Sequence, residues 1–326
     1  MITLLRTRLQ CWVLLALMGA GIYSGCQDVT AAPVERINPP PGMVLIPAGK
    51  FIMGSDKTDH ADKAREFGLS KPWYVDEHPQ RTIPLPDFFI DTYEVTNIQY
   101  REFIVKTNYW LPAQWENNGY LLTREILESA DPARLKSFIT ETLRLDLDTR
   151  SLSKEALIAA IEKRQKTLDN YPVTGVTWPN ARDYCAWVKK RLPTEAEWEK
   201  AARGPRGQEF PWGSEWDPAK LNAASADNWE DGVSPVGAYP QGKSPYGVFD
   251  MAGNVMEWVQ DDYQPYPGAT YKSTAFAKPD KVVRGGGWGG IGHYVIGHFY
   301  RGAYRFHLAP HSAFSDLGFR CATAPR

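Results

Sequence analysis

The sequence has no excess of either charge, and no long apolar run follows its first 25 residues. Its 37 Lys and Arg are matched by 38 Asp and Glu in 326 residues. A nucleic-acid-binding protein usually carries a basic surplus that neutralises phosphates, so this balance argues against nucleic acid as a partner. Internal repeats and low-complexity segments are also absent from the sequence. Composition therefore excludes coiled coils, collagen, disordered tails and multi-span membrane proteins.

Residues 1–25 have the features of a signal peptide. Two arginines precede Leu9–Ile22, which is almost continuously apolar but shorter than the ~20 residues of a spanning helix. Cys26 follows a glycine and resembles the acylated cysteine of bacterial lipoproteins, although Tyr23 stands where that site usually has Leu. Cleavage by the ordinary signal peptidase near Ala31 is the alternative. We therefore expect a periplasmic protein, either free or anchored through a lipid on Cys26.

Cysteine is scarce. The chain has four, of which Cys11 and Cys26 belong to the leader or its processing site. Cys185 and Cys321 are left for the folded domain, and in an oxidising compartment they are candidates for a disulfide. Two buried free thiols are the weaker alternative. A bridge that closes so long a loop contributes roughly 3–5 kcal/mol in the chain-entropy model.

The remaining chain divides into a linker, residues 26–42, and a domain, residues 43–326. The domain is rich in Gly, Pro and aromatic residues, and the whole chain has 12 Trp, 16 Tyr and 13 Phe, which is typical of a loop-rich fold held together by aromatic packing. Alternating residues predict strands in Met43–Met53 and Phe88–Val95, and the charged segment Ser55–Pro79 between them predicts a loop.

Several helices are predicted from caps and spacing. Thr96 followed by Asn97 predicts the N-terminus of a helix with a buried aromatic face, and Thr194 with Glu197 forms a capping-box pattern. Short helices are accordingly expected over Asn180–Lys190 and Thr194–Arg203.

Residues 108–170 differ in composition from the rest of the domain. Leu and Ile recur at helical spacing in Arg124–Leu147 and Ser153–Leu168, with charges on the other faces and little glycine. This pattern predicts two amphipathic helices inserted into the domain. The favoured interpretation is that the helices simply pack on the body, and the alternative is that they form a docking surface for another protein.

A series of short motifs runs through the domain in a fixed order. They are Gly42-Met43-Val44 with Met53-Gly54-Ser55, the EVTN segment Glu94–Asn97, Arg191–Glu199 (RLPTEAEWE), Pro211-Trp212-Gly213, Met251–Trp258 (MAGNVMEW), Arg284–Trp288 (RGGGW) and Gly318–Cys321 (GFRC). Together they resemble the formylglycine-generating enzyme, or sulfatase-modifying factor, domain from Gly42 to Ala322, interrupted by the helical insertion. The resemblance implies one α+β domain of the formylglycine-generating-enzyme fold, which is C-type-lectin-like and low in regular secondary structure.

Enzymes of that family oxidise a substrate cysteine with a pair of reactive cysteines that bind copper. The resemblance places those two cysteines at Gly292 and Gly297. A cuprous ion requires thiolate ligands, so we expect no copper and no formylglycine-generating reaction. Enzymatic activity of any kind is left open by the sequence, and the absence of activity is favoured.

The resemblance also implies disulfides. Cys185 and Cys321 match one family pair. A second family pair would join Ala202 and Gly302, and both of its cysteines are missing together, so no orphan thiol is left.

Two calcium sites of the family align with this chain. The first is Asp250, Gly253, Val255 and Glu257, and the second is Asn222, the Ala223 carbonyl, Asp231 and the Val233 carbonyl. Carboxylates and backbone carbonyls suit a hard cation, and structural calcium is the expected cofactor. The alternative for Glu257 is that it only caps backbone amides beneath Trp258, and the shorter loop makes Asp231 the weaker match.

A candidate cleft surrounds the positions of the missing cysteines. His293, His298, Trp288, Tyr300 and Arg301 are the residues expected to face it, and aromatic core packing is the alternative role for the rings. His307 and His311 bring the histidines of this C-terminal segment to four, but their spacing matches no known metal motif.

These observations predict an exported, non-catalytic member of the family that binds another protein. Family members without the cysteine pair include TagR-type periplasmic regulators of type VI secretion, which act upstream of a membrane threonine kinase. The partner would then be the periplasmic region of a kinase or an outer-membrane lipoprotein. Two alternatives remain open: a periplasmic oxidoreductase of the PvdO type, acting in siderophore maturation without the cysteine pair, and a sulfatase activator.

Overall fold

Short strands form three small sheets in the part of the chain that the structure describes. The structure is a computed structural model, and it describes residues 38–223, 232–289 and 296–325, so the predicted leader lies outside it. The strands are β1 (Met43–Ile46), β2 (Gly49–Met53), β3 (Arg81–Leu85), β4 (Phe88–Asp91), β5 (Met256–Asp262), β6 (Lys281–Arg284), β7 (Phe306–Leu308), β8 (Leu317–Phe319) and β9 (Ala322–Thr323). Their orders are β1-β4-β9, β2-β3 and β7-β6-β5-β8, and β5 and β8 are parallel whereas the other pairs are antiparallel.

Helices and long loops connect the strands. The helices of the described residues are α1 (Lys63–Glu66), α2 (Asn97–Thr107), α3 (Ala113–Asn118), α4 (Arg124–Ser129), α5 (Pro132–Ser137), α6 (Lys154–Leu168), α7 (Trp178–Trp187) and α8 (Glu195–Arg203). A π-helical turn covers Phe138–Thr142, and 3-10 turns cover Pro218–Lys220, Pro240–Gly242, Thr274–Ala277 and Gly297–Tyr300. None of the helices in these ranges is long and apolar enough to cross a bilayer. The mixture of small sheets, short helices and loops confirms the predicted α+β class.

The predicted helix caps are present. The Thr194 hydroxyl accepts from the Glu197 N–H at 3.2 Å, and Glu197 Oε2 accepts from the Thr194 N–H at 2.8 Å, so the capping box of α8 is complete. A second capping box, between Thr177 and Asn180, starts α7 at Trp178, earlier than the predicted start at Asn180. The sequence prediction was wrong there because it overlooked Thr177 as the cap.

Two strand predictions need correction. Met43–Met53 is not one strand, since Pro47 separates β1 from β2 and the two strands join different sheets. Proline lacks the N–H that a continuous ladder needs. The strand predicted over Phe88–Val95 ends at Asp91.

Residues Pro39–Arg326 form one compact unit with two large cores. Tyr100, Trp258 and Phe319 belong to the first core, together with both domain cysteines. Cys185 on α7 and Cys321 between β8 and β9 are joined by a disulfide with an S–S distance of 1.98 Å and a sequence separation of 136. The bridge ties the middle of the chain to its C-terminal strands.

The insertion has a core of its own. Leu127, Leu135, Leu157 and Ile161 are buried against one another, apart from the cores of the body. The helix predicted over Arg124–Leu147 is broken into α4, α5 and the π-helical turn. Asp131 caps the second piece by accepting from the Arg134 N–H, and Pro132 occupies its first turn.

Candidate functional site

Gly297, the position at which the resemblance places the second reactive cysteine of the family, lies against a tryptophan. A Cβ added to Gly297 would lie 3.0 Å from Cδ2 of Trp216, closer than side chains normally pack. Trp216 in turn stacks on Tyr300 with ring centroids 5.3 Å apart. A side chain at position 297 would therefore press against the indole ring of Trp216. The first position, Gly292, lies outside the described residues.

His298 is enclosed by aromatic rings. Its imidazole stacks on Trp73 with centroids 4.2 Å apart, and Tyr74 and Tyr304 meet it edge-on at 4.9 and 5.2 Å. Burial, and then the positive charge of Arg301, lower the pKa of His298 to about 3. The imidazole is therefore neutral at physiological pH, and its Nδ1 has no hydrogen-bond partner among the described residues.

Two residues expected at a cleft lie in the interior instead. Arg301 is 3% exposed, and its guanidinium donates to both oxygens of Glu77 at 2.6 and 2.9 Å and to Glu209. Tyr300 is fully buried. The prediction that these two side chains face an open cleft was wrong, because Arg301 holds the 55–79 loop to the C-terminal segment and Tyr300 packs under Trp216.

Among the described residues, Trp288, His307 and His311 belong to no metal site. Trp288 is partly buried, and its indole N–H has no partner within the described part of the chain. His307 Nδ1 bonds Asp280 Oδ2 at 2.7 Å, and His311 is exposed. His293 lies outside the described residues. In residues 38–223, 232–289 and 296–325 no group of three or more His, Cys, Asp or Glu side chains is placed to hold a metal ion.

A buried pair of carboxyl groups lies at the first predicted calcium site. Glu94 and Asp250 interact electrostatically, and burial raises the pKa of both, with the neighbouring Asp250 charge raising that of Glu94 further. Glu94 Oε1 accepts from Asn254 Nδ2 at 3.0 Å, while Oε2 has no donor among the described residues. Asp250 Oδ2 accepts from the Gly237 N–H at 2.6 Å. Two like charges this deeply buried require a shared proton or a cation.

Glu257 does not face that pair as a free ligand. Both of its oxygens accept from Arg320 at 2.7 Å, and Oε2 also accepts from the Trp198 indole N–H at 3.0 Å. Glu257 therefore does not fit the set of four calcium ligands inferred from the family. The alternative that Glu257 caps backbone amides is also wrong, because its hydrogen-bond partners are side chains. Glu94, which the sequence analysis did not place at the site, is the carboxyl group next to Asp250.

Asn254 connects the two predicted calcium sites. Its Oδ1 accepts from the Ser234 N–H at 2.8 Å and from Asn222 Nδ2 at 3.1 Å, and its N–H donates to the Asn222 carbonyl at 2.9 Å. Gly253 packs directly on the same carbonyl, and a Cβ there would lie 2.6 Å from it. Of the other predicted ligands, Val255 is buried immediately before β5. Ala223 and Val233 lie on either side of a segment outside the described residues, and Asp231 lies in that segment.

The chain matches the Sulfatase-modifying factor enzyme 1-like domain over residues 29–325. This match covers the body, the insertion and every described residue of the site. The chain belongs to the sulfatase-modifying factor family. The resemblance inferred from the motifs is thereby confirmed.

Two relatives within the family are informative. The chain is 34% identical over 293 residues to "Inactive C-alpha-formylglycine-generating enzyme 2" of Bos taurus, covering 86% of this chain and 87% of that protein. It is 33% identical over 298 residues to "Serine/threonine-protein kinase pkn1" of Chlamydia caviae, covering 88% of this chain but 39% of the kinase.

A solved structure agrees with the fold. "Structure of PvdO from Pseudomonas aeruginosa" superposes with a TM-score of 0.55 at 24% identity, covering 86% of this chain and 94% of that one. At this identity the likeness shows the fold alone. The family fold predicted from the motifs is therefore supported by both sequence and structure.

Two residues of the site were missed by the sequence analysis. Trp216 could have been suspected from the short distance between the PWG motif and the next tryptophan, but nothing in the sequence places it against Gly297. Glu94 belongs to the EVTN motif, and its distance of 156 residues from Asp250 along the chain hides the pairing.

Proposed function

We propose that this sulfatase-modifying factor family member is a non-catalytic, exported protein that acts by binding another protein. The observation that carries the proposal is the indole of Trp216 against Gly297, the position at which the resemblance places a reactive thiol of the family enzymes. The 34% identity to a relative described as inactive supports the same conclusion. A scaffold that keeps its core and its disulfide without the thiol pair retains a surface for recognition.

The proposed setting is the activation of type VI secretion in the periplasm, upstream of a membrane threonine kinase. The partner is then the periplasmic region of such a kinase or an outer-membrane lipoprotein. The Chlamydia caviae relative supports a kinase context, since it has this domain within a chain named as a serine/threonine kinase.

The insertion is the proposed docking element, and its ends allow a clean test. Gln165 Nε2 on α6 donates to the carbonyls of Gly119 and Leu122 at 2.7 and 3.0 Å, so the two ends of the insertion lie side by side. In a shortened chain, residues 123–164 are replaced by a short glycine linker. The intact and the shortened chains are each cross-linked to their neighbours in periplasmic and membrane extracts. We expect a partner captured by the intact chain to be lost from the shortened chain.

A matched control separates docking from folding. Ile126 is 50% exposed on the insertion, whereas Phe314 is 46% exposed on the body. Ile126→Asp is expected to weaken capture and Phe314→Asp to leave it unchanged. Equal capture by the intact and shortened chains contradicts docking through the insertion, and turnover of a cysteine-containing sulfatase peptide contradicts the non-catalytic function itself.

The alternative function is a PvdO-type periplasmic oxidoreductase that works without the cysteine pair. His298 favours it, because a neutral imidazole with an unpartnered, buried Nδ1 has the protonation state that a metal ligand needs. The alternative predicts stoichiometric redox-active metal in the purified protein and its release by His298→Ala. Metal-free protein with an unchanged partner complex excludes this function.

We further propose a structural calcium ion at Asp250, with Glu94 in place of Glu257 and with backbone carbonyls of the 250–255 turn. Oxygen donors of this kind suit calcium, and the ion would neutralise the buried carboxyl pair. At a calcium concentration about 100-fold above its Kd, we expect the stability to rise by about 2.7 kcal/mol, reversibly with a chelator.

The matched variant is Asp250→Asn, with the exposed Asp148→Asn as the control. Asp250→Asn removes one buried charge, so the calcium-free protein is expected to keep its stability while the response to calcium is lost. Thermal unfolding with and without calcium measures both effects. An unchanged melting temperature in calcium would show that the pair shares a proton instead.

A further inference from the structure

The side chain of Asn254 joins the buried carboxyl pair, Glu94 and Asp250, to a neighbouring loop. Asn254 is 1% exposed, and its Nδ2 donates to Glu94 Oε1 at 3.0 Å. On its other side, its Oδ1 accepts from the Ser234 N–H and hydroxyl at 2.8 and 3.2 Å and from Asn222 Nδ2 at 3.1 Å. One buried amide group therefore contacts both a member of the carboxyl pair and the loop that carries Ser234.

The orientation of this amide group is determined by its neighbours. The Ser234 backbone N–H can only donate, so it requires the oxygen of the Asn254 amide. Asn222 is held in the same sense, because its Nδ2 also donates to the Gly232 carbonyl at 3.0 Å. A flipped Asn254 would turn its NH2 group toward these donors and its oxygen toward the Glu94 carboxyl group. The amide therefore has one orientation in which its bonds to Glu94 and to Ser234 are both made.

The backbone at this site is unusual as well. Asp250 and Asn254 have φ angles of 55° and 59°, a left-handed conformation that residues other than glycine seldom adopt and that persists where the surroundings fix it. Asp250 Oδ2 accepts from the Gly237 N–H at 2.6 Å, and the Trp288 N–H donates to the Asn254 carbonyl at 2.9 Å. Residues 232–237 are thus bonded to the carboxyl pair by two routes, one through Asn254 and one directly to Asp250.

We propose that Asn254 is the positioning residue through which a cation at the Glu94–Asp250 pair holds the loop that carries Ser234. This inference rests on the proposed calcium ion, and it adds the residue that connects the ion to the loop. A cation bound by both carboxyl groups fixes Glu94, and Glu94 fixes the Asn254 amide that accepts from Ser234. Gly237 serves as the reference, because its N–H bonds Asp250 without Asn254 in between.

The first experiment tests the connection without calcium. Hydrogen exchange of single backbone amides is followed by nuclear magnetic resonance in protein kept in a chelator. Glu94→Leu removes the acceptor of the Asn254 amide, so we expect the Ser234 N–H to exchange about tenfold faster, as for the loss of one hydrogen bond. Asp250→Asn is the matched comparison, since it removes a carboxylate of the same pair but keeps Glu94 bonded to Asn254. Exchange of Ser234 in this variant is expected to equal that of the unchanged chain.

The second experiment adds calcium. In the unchanged chain we expect calcium to raise the melting temperature and to slow exchange at both Ser234 and Gly237. Asn254→Gly permits the left-handed backbone and keeps both carboxyl groups of the pair. In that variant calcium should still raise the melting temperature and slow exchange at Gly237, whereas the response of Ser234 to calcium should be lost. A merely structural role of Asn254 would change the two amides together.

The Ala322 N–H, which donates to the Arg191 carbonyl at 2.7 Å in another sheet, reports the stability of the fold as a whole. Equal exchange of Ser234 in the unchanged and Glu94→Leu chains overturns the proposal. Acceleration of Ser234 and Ala322 by the same factor also overturns it, because that result is a general loss of stability. A response of Ser234 to calcium that persists in Asn254→Gly does so too.

Failure of the calcium proposal has a different signature. Calcium would then change neither the melting temperature nor the exchange of Gly237 in the unchanged chain. The ion would be wrong in that case, and the comparison of Glu94→Leu with Asp250→Asn would still decide whether Asn254 connects Glu94 to Ser234.

Discussion

At the scale of single residues, Gly297 is a position where a larger side chain would press against its neighbour. A Cβ at this position would lie 3.0 Å from the Trp216 ring, and both residues are partly buried. We expect Gly297→Cys to lower the free energy of unfolding by about 1–3 kcal/mol, because overpacking forces neighbours out of their rotamers. Chemical denaturation measures the loss.

A double-mutant cycle assigns that loss to its cause. In a Trp216→Leu background the indole is gone, so Gly297→Cys should cost less than it does in the unchanged chain. Additive losses in the cycle would mean that the two residues do not contact each other, and the explanation for the missing thiol would fail.

His298 makes the stability of the folded protein depend on pH, and the sign of this dependence follows from its pKa. Its pKa is about 3 in the folded protein, because burial and nearby positive charge disfavour the protonated ring, and about 6.5 in the unfolded chain. Between those values the unfolded chain binds a proton that the folded protein does not. Stability is therefore complete above the unfolded pKa and falls, by up to about 1.4 kcal/mol per pH unit, as the pH drops toward 3.

The variant His298→Phe keeps an aromatic ring between Trp73 and Tyr304 but cannot titrate. Its stability should fall less steeply than that of the unchanged chain from pH 6.5 to 4, as measured by urea denaturation at each pH. Parallel curves would show that another group causes the acid sensitivity.

At the scale of elements, the insertion is expected to be dispensable for folding. Its core residues, among them Leu127, Leu135 and Ile161, pack with one another, whereas Tyr120 and Leu168 at its base belong to the core of the body. Replacing residues 123–164 by a glycine linker should therefore leave the near-ultraviolet circular dichroism and the cooperative unfolding of the body unchanged. A molten spectrum after excision would show that the body depends on the insertion.

The helices show where prediction from neighbouring residues was correct and where it was wrong. The caps predicted at Thr96 and Thr194 each start a helix in the structure, and the helix predicted over Ser153–Leu168 begins at Lys154 with Ser153 as its cap. The long helix predicted across Pro132 failed because periodicity of Leu and Ile was given more weight than the proline and its capping Asp131.

At the scale of the whole molecule, the Cys185–Cys321 bridge closes a loop of 136 residues and constrains the unfolded chain. Replacing both cysteines by alanine should lower the free energy of unfolding by roughly 3–5 kcal/mol in the chain-entropy model. Thermal unfolding of the variant and of the reduced, alkylated protein measures the loss. Equal stability with and without the bridge would contradict this role.

Buried ion pairs tie distant parts of the molecule together. Arg284, Arg305 and Arg320 are nearly inaccessible, and they bind Glu195, Glu199 and Glu257 at 2.6–3.2 Å. The nearly equal totals of basic and acidic residues, 37 and 38, indicate a protein close to neutral but give no sign that these arginines lie inside it. Removing one member of such a pair leaves a buried charge without compensation, so these residues maintain the fold that carries the site.

The sequence by itself determined the family, the α+β class and the starts of α2, α4, α6 and α8, because motifs and caps are local and depend on neighbours a few residues away. Only the tertiary structure decided that Trp216 lies against Gly297, that Glu94 lies beside Asp250, that Arg301 is an interior ion-pair residue and that Trp110 is exposed. These facts depend on contacts between residues far apart in the chain, or on the exposure that the packed chain leaves, and neither is encoded in local spacing.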